Sequence, residues 1–169
     1  YPLLLSLFLL LGFGLRLVLL DAYPLREDEA IYSYWALHAL HVDPLYLTVW
    51  PDKPPVFLWT LGAAFTLFGE TAPAARMVNI FAGTLTIAVL AAVARRLWSP
   101  GAGMGAAALA ALSPYAVSFA PTALTDPLLV LAGSLALLCA VCGRAAWAGV
   151  WVGAAIMTKQ PGVLFIPLI

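Results

Sequence analysis

The stretch PLREDEAIYSYWALHALHVDPLYLTVWPDKPP, Pro24 to Pro55, holds Arg26, Glu27, Asp28, Glu29, Asp43, Asp52, Lys53 and both histidines of a chain otherwise poor in charge. Asp28 and Glu29 stand where a helix can begin. A carboxylate there can take a proton as a general base or cap the helix. Lys53 precedes Pro54-Pro55, a helix start. A cation so placed can hold a phosphate or reach along its own stem to a membrane surface. Asp52 can pair with Lys53 or face solvent. Asp126 precedes Pro127 and reads as a helix cap. Arg76 in an apolar segment needs a partner, and an acid of the first loop or a lipid phosphate would serve. Lys159 interrupts another apolar run in TKQPG, as a loop lysine or in a re-entrant turn. His38 and His41 form an HxxH with no third ligand, which reads as interfacial polarity rather than zinc. Cys139 and Cys142 have no second pair or histidine beside them and read as buried bystanders.

The elements that must position these groups are apolar. Of 169 residues, 64% are hydrophobic and 9% charged, against about 25% charged in soluble domains, and mean hydropathy is +1.00. The expected fold is all-α, a polytopic transmembrane helical bundle forming a single domain over 1–169. Spans are expected at about 3–20, 74–98, 103–119, 128–143, 145–157 and 162–169, with interfacial helices at 29–41 and 54–68 in a long first loop. Ile31, Tyr34, Trp35, Leu37 and His38 lie near one face of the first interfacial helix. Arg16, near the end of the first span, is expected to snorkel to the interface. A net charge of zero gives no footprint for nucleic acid. The chain starts without methionine and stops in VLFIPLI, and is read as the N-terminal piece of a longer membrane protein.

Arg95-Arg96 and Arg144 end alternate connections, so both are expected to be cytoplasmic. The 21–72 loop, the 120–127 loop and TKQPG then share the extracytoplasmic side, and Asp28, Glu29, Asp52, Asp126, Lys53 and Lys159 gather on one face.

The ordered set DEAIYSYWALHAL, KPPVFLWTLGAAFTLFG, AARMVNIFAGTLTIAVLAAVARRL, ALSPYAVSFAPTALTDPLLVLAGSLALL and GVWVGAAIMTKQPGVLFIP resembles the protein mannosyltransferase and aminoarabinose transferase group of C-type glycosyltransferases. The resemblance spans almost the whole chain. It implies an inverting membrane enzyme that moves a sugar from a polyprenyl-phosphate donor to an extracytoplasmic acceptor, whether protein, lipid or cell-envelope glycan. A bacterial inner membrane is the expected location. On this resemblance Asp28 is the general base with Glu29 in support, and Lys53, Arg76 and Lys159 bind the donor phosphate. Asp126 and Asp52 support the site, Asp28 and Asp126 are the candidates for a divalent metal, and no other cofactor is implied. A transporter, or a membrane subunit without chemistry, is the alternative. A transporter would carry midplane charges and an internal repeat, and neither is present in the sequence.

Overall fold

The computed structural model describes residues 1–169 as helices and connections, with no strand. The order is α1 (Pro2–Val18), α2 (Glu27–His41), α3 (Pro55–Phe68), α4 (Ala72–Leu97), α5 (Pro100–Leu112), α6 (Pro114–Phe119), α7 (Asp126–Val141), α8 (Ala145–Ile156) and a final 3-10 helix, Gln160–Leu168. The starts follow local chemistry. Proline opens α1, α3, α4, α5, α6 and α7 within their first two positions, where its missing N–H costs nothing. The hydroxyls of Thr71, Ser99 and Ser113 accept from the backbone N–H of Ala74, Ala102 and Ala116, satisfying donors that a helix start leaves free.

Apolar helices lie over the segments expected as spans at about 3–20, 74–98, 128–143 and 145–157, but only α4 is long and apolar enough to cross a bilayer by itself. Its 26 residues give about 39 Å at 1.5 Å per residue. The expected single segment over 103–119 is two helices, because Pro114 breaks it after Ser113. The segment at 162–169 is 3-10 rather than α.

α4 is the axis of the bundle. α1 runs antiparallel to it and is tied at both ends: the Arg95 guanidinium lies 4.6 Å from the Tyr1 ring centroid, and Arg76 Nη1 donates to Leu20 O at 2.9 Å. α5 turns back from Ser99 and packs Ala107 and Ala111 on Ile87 and Ala91. α7 packs Leu131 on Ala82 and Val89. α8 returns along α7, burying Ala155 against Leu129 and Ala132. Alanine and glycine at these contacts let helices approach closely. The largest core cluster lies elsewhere, where Tyr32 and Ala36 of α2 meet Phe57, Leu58, Leu61 and Phe65 of α3 and Ala74 and Ala75 of α4. The first two helices of the charged loop are therefore packed on the bundle. α2 turns Glu29, Tyr32, Ala36 and Ala39 inward and leaves Ile31 and Tyr34 exposed.

Arg16 corrects an expectation. It is 1% exposed and does not reach out of the bundle. Pro114 has no N–H, so the carbonyl of Ala110, four residues earlier, loses its helical donor. Arg16 Nη2 supplies one at 3.0 Å, while Nη1 reaches Gly12 O at 2.8 Å and Ala111 O at 3.4 Å. A cation at the C-terminal end of α5 is also favoured by the helix dipole. Gly83 makes room: a Cβ there would lie 3.1 Å from Arg16 Nε. This gives a double-mutant prediction. Arg16→Met should destabilise the parent more than a Pro114→Ala background, where the alanine N–H can serve Ala110. The coupling should be about 0.5–3 kcal/mol, read by reversible unfolding in detergent, and additive effects would refute the compensation.

Candidate active site at the loop end of the bundle

The end of the bundle that carries residues 20–30 also collects the 52–56, 71–76, 120–126 and 157–162 segments, through hydrogen bonds made mainly by side chains. Glu29 and Arg76 lie at the centre, 0% and 1% exposed. Arg76 Nε donates to Glu29 Oε1 at 3.0 Å and Nη2 to Oε2 at 3.1 Å, a bidentate pair. The other three N–H groups of the guanidinium go to the carbonyls of Leu20, Tyr23 and Pro24 at 2.9–3.1 Å. Glu29 is equally occupied. Oε1 also accepts from Ala123 N at 2.8 Å and Oε2 from Arg26 N at 2.9 Å. A guanidinium has five N–H donors and a carboxylate about four acceptor positions, so both groups are saturated. One pair thus fixes the exit of α1, the start of α2, α4 and the 120–125 loop.

This geometry changes two of the expected roles. Arg76 has no N–H left for a donor phosphate, and the partner it needs is the first-loop acid. Glu29 has no free lone pair and no solvent contact with which to assist a base. It is also the acid that caps the start of α2, through Arg26 N, whereas Asp28 is inside the first turn, because the helix begins at Glu27 rather than at 29. Burial pushes the Glu29 carboxyl up, but the hydrogen bonds from Arg76, Arg26 and Ala123 outweigh it and hold the carboxyl below its ordinary value.

Asp28 is exposed, bordering a shallow surface depression with Leu25, Arg26 and Glu27. One helical turn on stands Tyr32, nearly buried, with its ring edge-on to Phe57 at 5.8 Å between centroids. The Lys53 ammonium lies 5.8 Å from the Tyr32 ring centroid and is paired with Asp52. The Asp52 hydrogen bond holds Lys53 above the ordinary lysine value, against the effect of burial. Burial raises the Tyr32 hydroxyl; the Lys53 charge opposes that rise, while Asp28 and Asp52 reinforce it. Tyr32 therefore senses all three groups. Lys159 Nζ donates to Asp126 Oδ1 at 2.7 Å. The TKQPG break joins the first loop through Val56 N on Met157 O at 3.1 Å and Gln160 Nε2 on Asp52 O at 3.3 Å. Asn79 Nδ2 donates to Thr122 O and Leu124 O, fixing the loop that leads to Asp126.

The expected gathering of Asp28, Glu29, Asp52, Asp126, Lys53 and Lys159 at one end is thus present. His41 lies aside, on Glu70 at 2.6 Å, and His38 is 3.5 Å from Thr48. No group of three or more His, Cys, Asp or Glu side chains could hold a metal ion, and Asp126 faces a lysine. Below the polar layer a cavity of about 320 Å³ lies among α1, α4, α5, α6 and α7, walled mainly by apolar side chains, with Arg16, Thr86 and Asp126 on its wall. Asn79 and Tyr32 are the site-end residues that sequence reasoning missed. An amide within an otherwise apolar segment, and a tyrosine four residues after Asp28 on the same helical face, were the available signals.

Removing one partner of a saturated buried pair leaves an uncompensated charge, at a cost of about 3–5 kcal/mol. Glu29→Gln should therefore destabilise the fold by that order in detergent unfolding, while Glu29→Met with Arg76→Met should remove the unpaired charge but recover only part of the loss, because the Leu20, Tyr23 and Pro24 carbonyls and the Arg26 and Ala123 N–H groups lose their partners. Because the folded carboxyl is depressed, its stabilisation is present above the unfolded carboxylate value and is lost as pH falls through the lower folded value. The parent's acid limb of stability should be missing in the double variant. A Glu29→Gln protein as stable as the parent would show that the pair does not hold the loops.

No curated protein and no solved structure matches the chain. A comparison with protein families does find a match, over residues 52–169, to the family described as dolichyl-phosphate-mannose-protein mannosyltransferase. That stretch includes Asp52-Lys53, Arg76, Asp126 and Lys159 and does not reach Asp28 and Glu29. It covers more than half of the sequence, and the chain belongs to the dolichyl-phosphate-mannose-protein mannosyltransferase family, a family of membrane glycosyltransferases that use a polyprenyl-phosphate-linked sugar.

Proposed function

We propose that this protein is a multi-pass inverting glycosyltransferase that moves a sugar, most simply mannose, from polyprenyl phosphate to an extracytoplasmic acceptor. The loop end is placed outside the cytoplasm, with Arg95, Arg96 and Arg144 at the opposite, cytoplasmic end, as the arginine asymmetry indicates. A bacterial inner membrane is the matching location. The observation that carries the reading is the contrast between two adjacent acids. Glu29 is sealed by four hydrogen bonds, whereas Asp28 is open, one helical turn from Tyr32, whose ring centroid lies 5.8 Å from the Lys53 ammonium.

In one displacement, an acceptor hydroxyl or amine gives its proton to an Asp28 carboxylate oxygen as it attacks the anomeric carbon. The new bond to carbon forms as the carbon–oxygen bond to phosphate breaks, and the configuration inverts. The polyprenyl phosphate leaves as an anion, steadied by Lys53 and Lys159. Both lysines rest on carboxylates, Asp52 and Asp126. Partly exposed pairs of this kind are worth about 0–1 kcal/mol, so a phosphate can replace the carboxylates at little cost. Arg76 and Glu29 hold the loops and touch neither substrate. The apolar cavity beneath Asp126 suits the first part of the carrier's chain.

Asp28→Asn keeps shape and hydrogen bonding but removes the base. In the intact enzyme it should bind donor normally and lose at least ~10²-fold in turnover. Lys53→Ala should instead weaken donor binding, and Lys53→Arg should restore it, since either cation can face a phosphate. Steady-state turnover measured beside donor binding separates the two effects. Near-parental turnover of Asp28→Asn would remove Asp28 from the chemistry.

A further inference from the structure

Between α2 and α3 the chain forms a turn that presents an unusually apolar surface. Trp50 is 87% exposed, Leu47 82%, Leu45 70% and Val42 67%. The same turn has its polar groups folded inward. Asp43, 6% exposed, accepts from Thr48 N at 2.6 Å and from Thr48 Oγ1 at 2.8 Å. Backbone hydrogen bonds from Leu47, Thr48 and Val49 outweigh burial and hold the Asp43 carboxyl down at about 2. Tyr46 N donates to Asp43 O at 3.1 Å, and Trp59 Nε1 donates to Pro44 O at 3.3 Å. Tyr46 takes a left-handed φ of 55° and turns its ring inward against the largest core cluster. The outcome is a knob with large apolar side chains outside, braced from within by the Asp43 carboxylate and the Trp59 hydrogen bond.

In water this arrangement exposes large side chains without compensation. Tryptophan favours the boundary between headgroups and acyl chains, where backbone groups without an internal partner can still meet headgroups and water. Residues 42–51 contain one charged group, Asp43, and no lysine or arginine, so attraction to anionic lipid is not the driving force. The apolar surface continues onto α3 and α4, where Trp59, Leu67, Phe68 and Leu85 are exposed. Trp50 lies three residues before Lys53.

We propose that the 42–50 turn is a membrane-inserting wedge. Val42, Leu45, Leu47 and Trp50 enter the headgroup–hydrocarbon boundary of the leaflet on the site side, and this sets the depth at which Lys53 meets a lipid phosphate. The proposal rests on the membrane-spanning reading of the bundle and is independent of the catalytic role of Asp28.

The test is nitroxide scanning of the intact protein in phosphatidylcholine nanodiscs, in a Cys139→Ala, Cys142→Ala background. Labels are placed singly through Leu45→Cys, Leu47→Cys, Trp50→Cys, Asp52→Cys and, for the spanning surface, Leu85→Cys. Collisions with oxygen report lipid and collisions with a nickel chelate report water. The wedge predicts oxygen-to-nickel ratios at 45, 47 and 50 several-fold above that at 52 and approaching that at 85. It also predicts that Leu47→Ser with Trp50→Ser raises nickel access at 52. Water-like labels at 47 and 50 beside a lipid-like 85 would overturn the wedge alone. Shielding of 47 and 50 from both reagents would replace the bilayer with a protein partner or a second copy. A water-like 85 would remove the membrane reading, and the wedge with it.

Discussion

The buried ion pair between Glu29 and Arg76 is the constraint on which the loop end depends. Four segments far apart in sequence, the exit of α1, the start of α2, α4 and the 120–125 loop, meet there through its hydrogen bonds. Two charges in a nearly dry environment are tolerable only when every donor and acceptor is used, and here they are. Saturation makes the pair demanding of geometry. The α1 exit must present three carbonyls, α2 must start at Glu27, and the 120–125 loop must offer the Ala123 N–H. Arg16, one layer below, supplies the Ala110 carbonyl with the donor that Pro114 withdraws and so permits the α5–α6 break that leads into that loop. Two buried arginines thus bond carbonyls that regular helices do not satisfy, and the chain can be irregular near its polar end.

That rigid base separates the tasks of groups adjacent in sequence. Successive residues on a helix point about 100° apart, so when Glu29 is drawn inward Asp28 is turned to the surface. Tyr32, one turn beyond Asp28, then lies under Lys53. The groups left at the rim are the exposed Asp28 and two lysines, each lysine held by an exchangeable carboxylate partner. The lysines rest on the Asp52 and Asp126 carboxylates rather than on backbone, as the proposed exchange with a phosphate requires.

The all-helical class, the order of segments and the gathering of charge at one end were legible in the sequence, because apolar runs and prolines mark helices directly. The break at Pro114 was also written there, but an alanine-rich run on its near side masked it. What each charge does was less legible. Asp28 and Glu29 are indistinguishable as residue types, and which one is buried follows from a helix start two positions earlier than the expected 29. Arg16 at the end of a span reads as a snorkelling cation until the Ala110 carbonyl it serves, 94 positions away, is known. Arg76 was expected to need a partner, but only its five bonds show that none remains for a phosphate. Asn79 and Tyr32 carry no motif, and their importance comes from tertiary contacts.

The central claim is that the sealed acid positions and the open acid reacts. Carbodiimide coupling of an amine to carboxyl groups of the intact enzyme, located by fragment-ion mass spectrometry, reads both acids in one sample. The account predicts that Asp28 is modified and Glu29 spared, that polyprenyl-phosphate mannose protects Asp28, and that transferase activity falls in step with Asp28 modification. Modification of Glu29 as fast as Asp28, or full activity with Asp28 blocked, would contradict it.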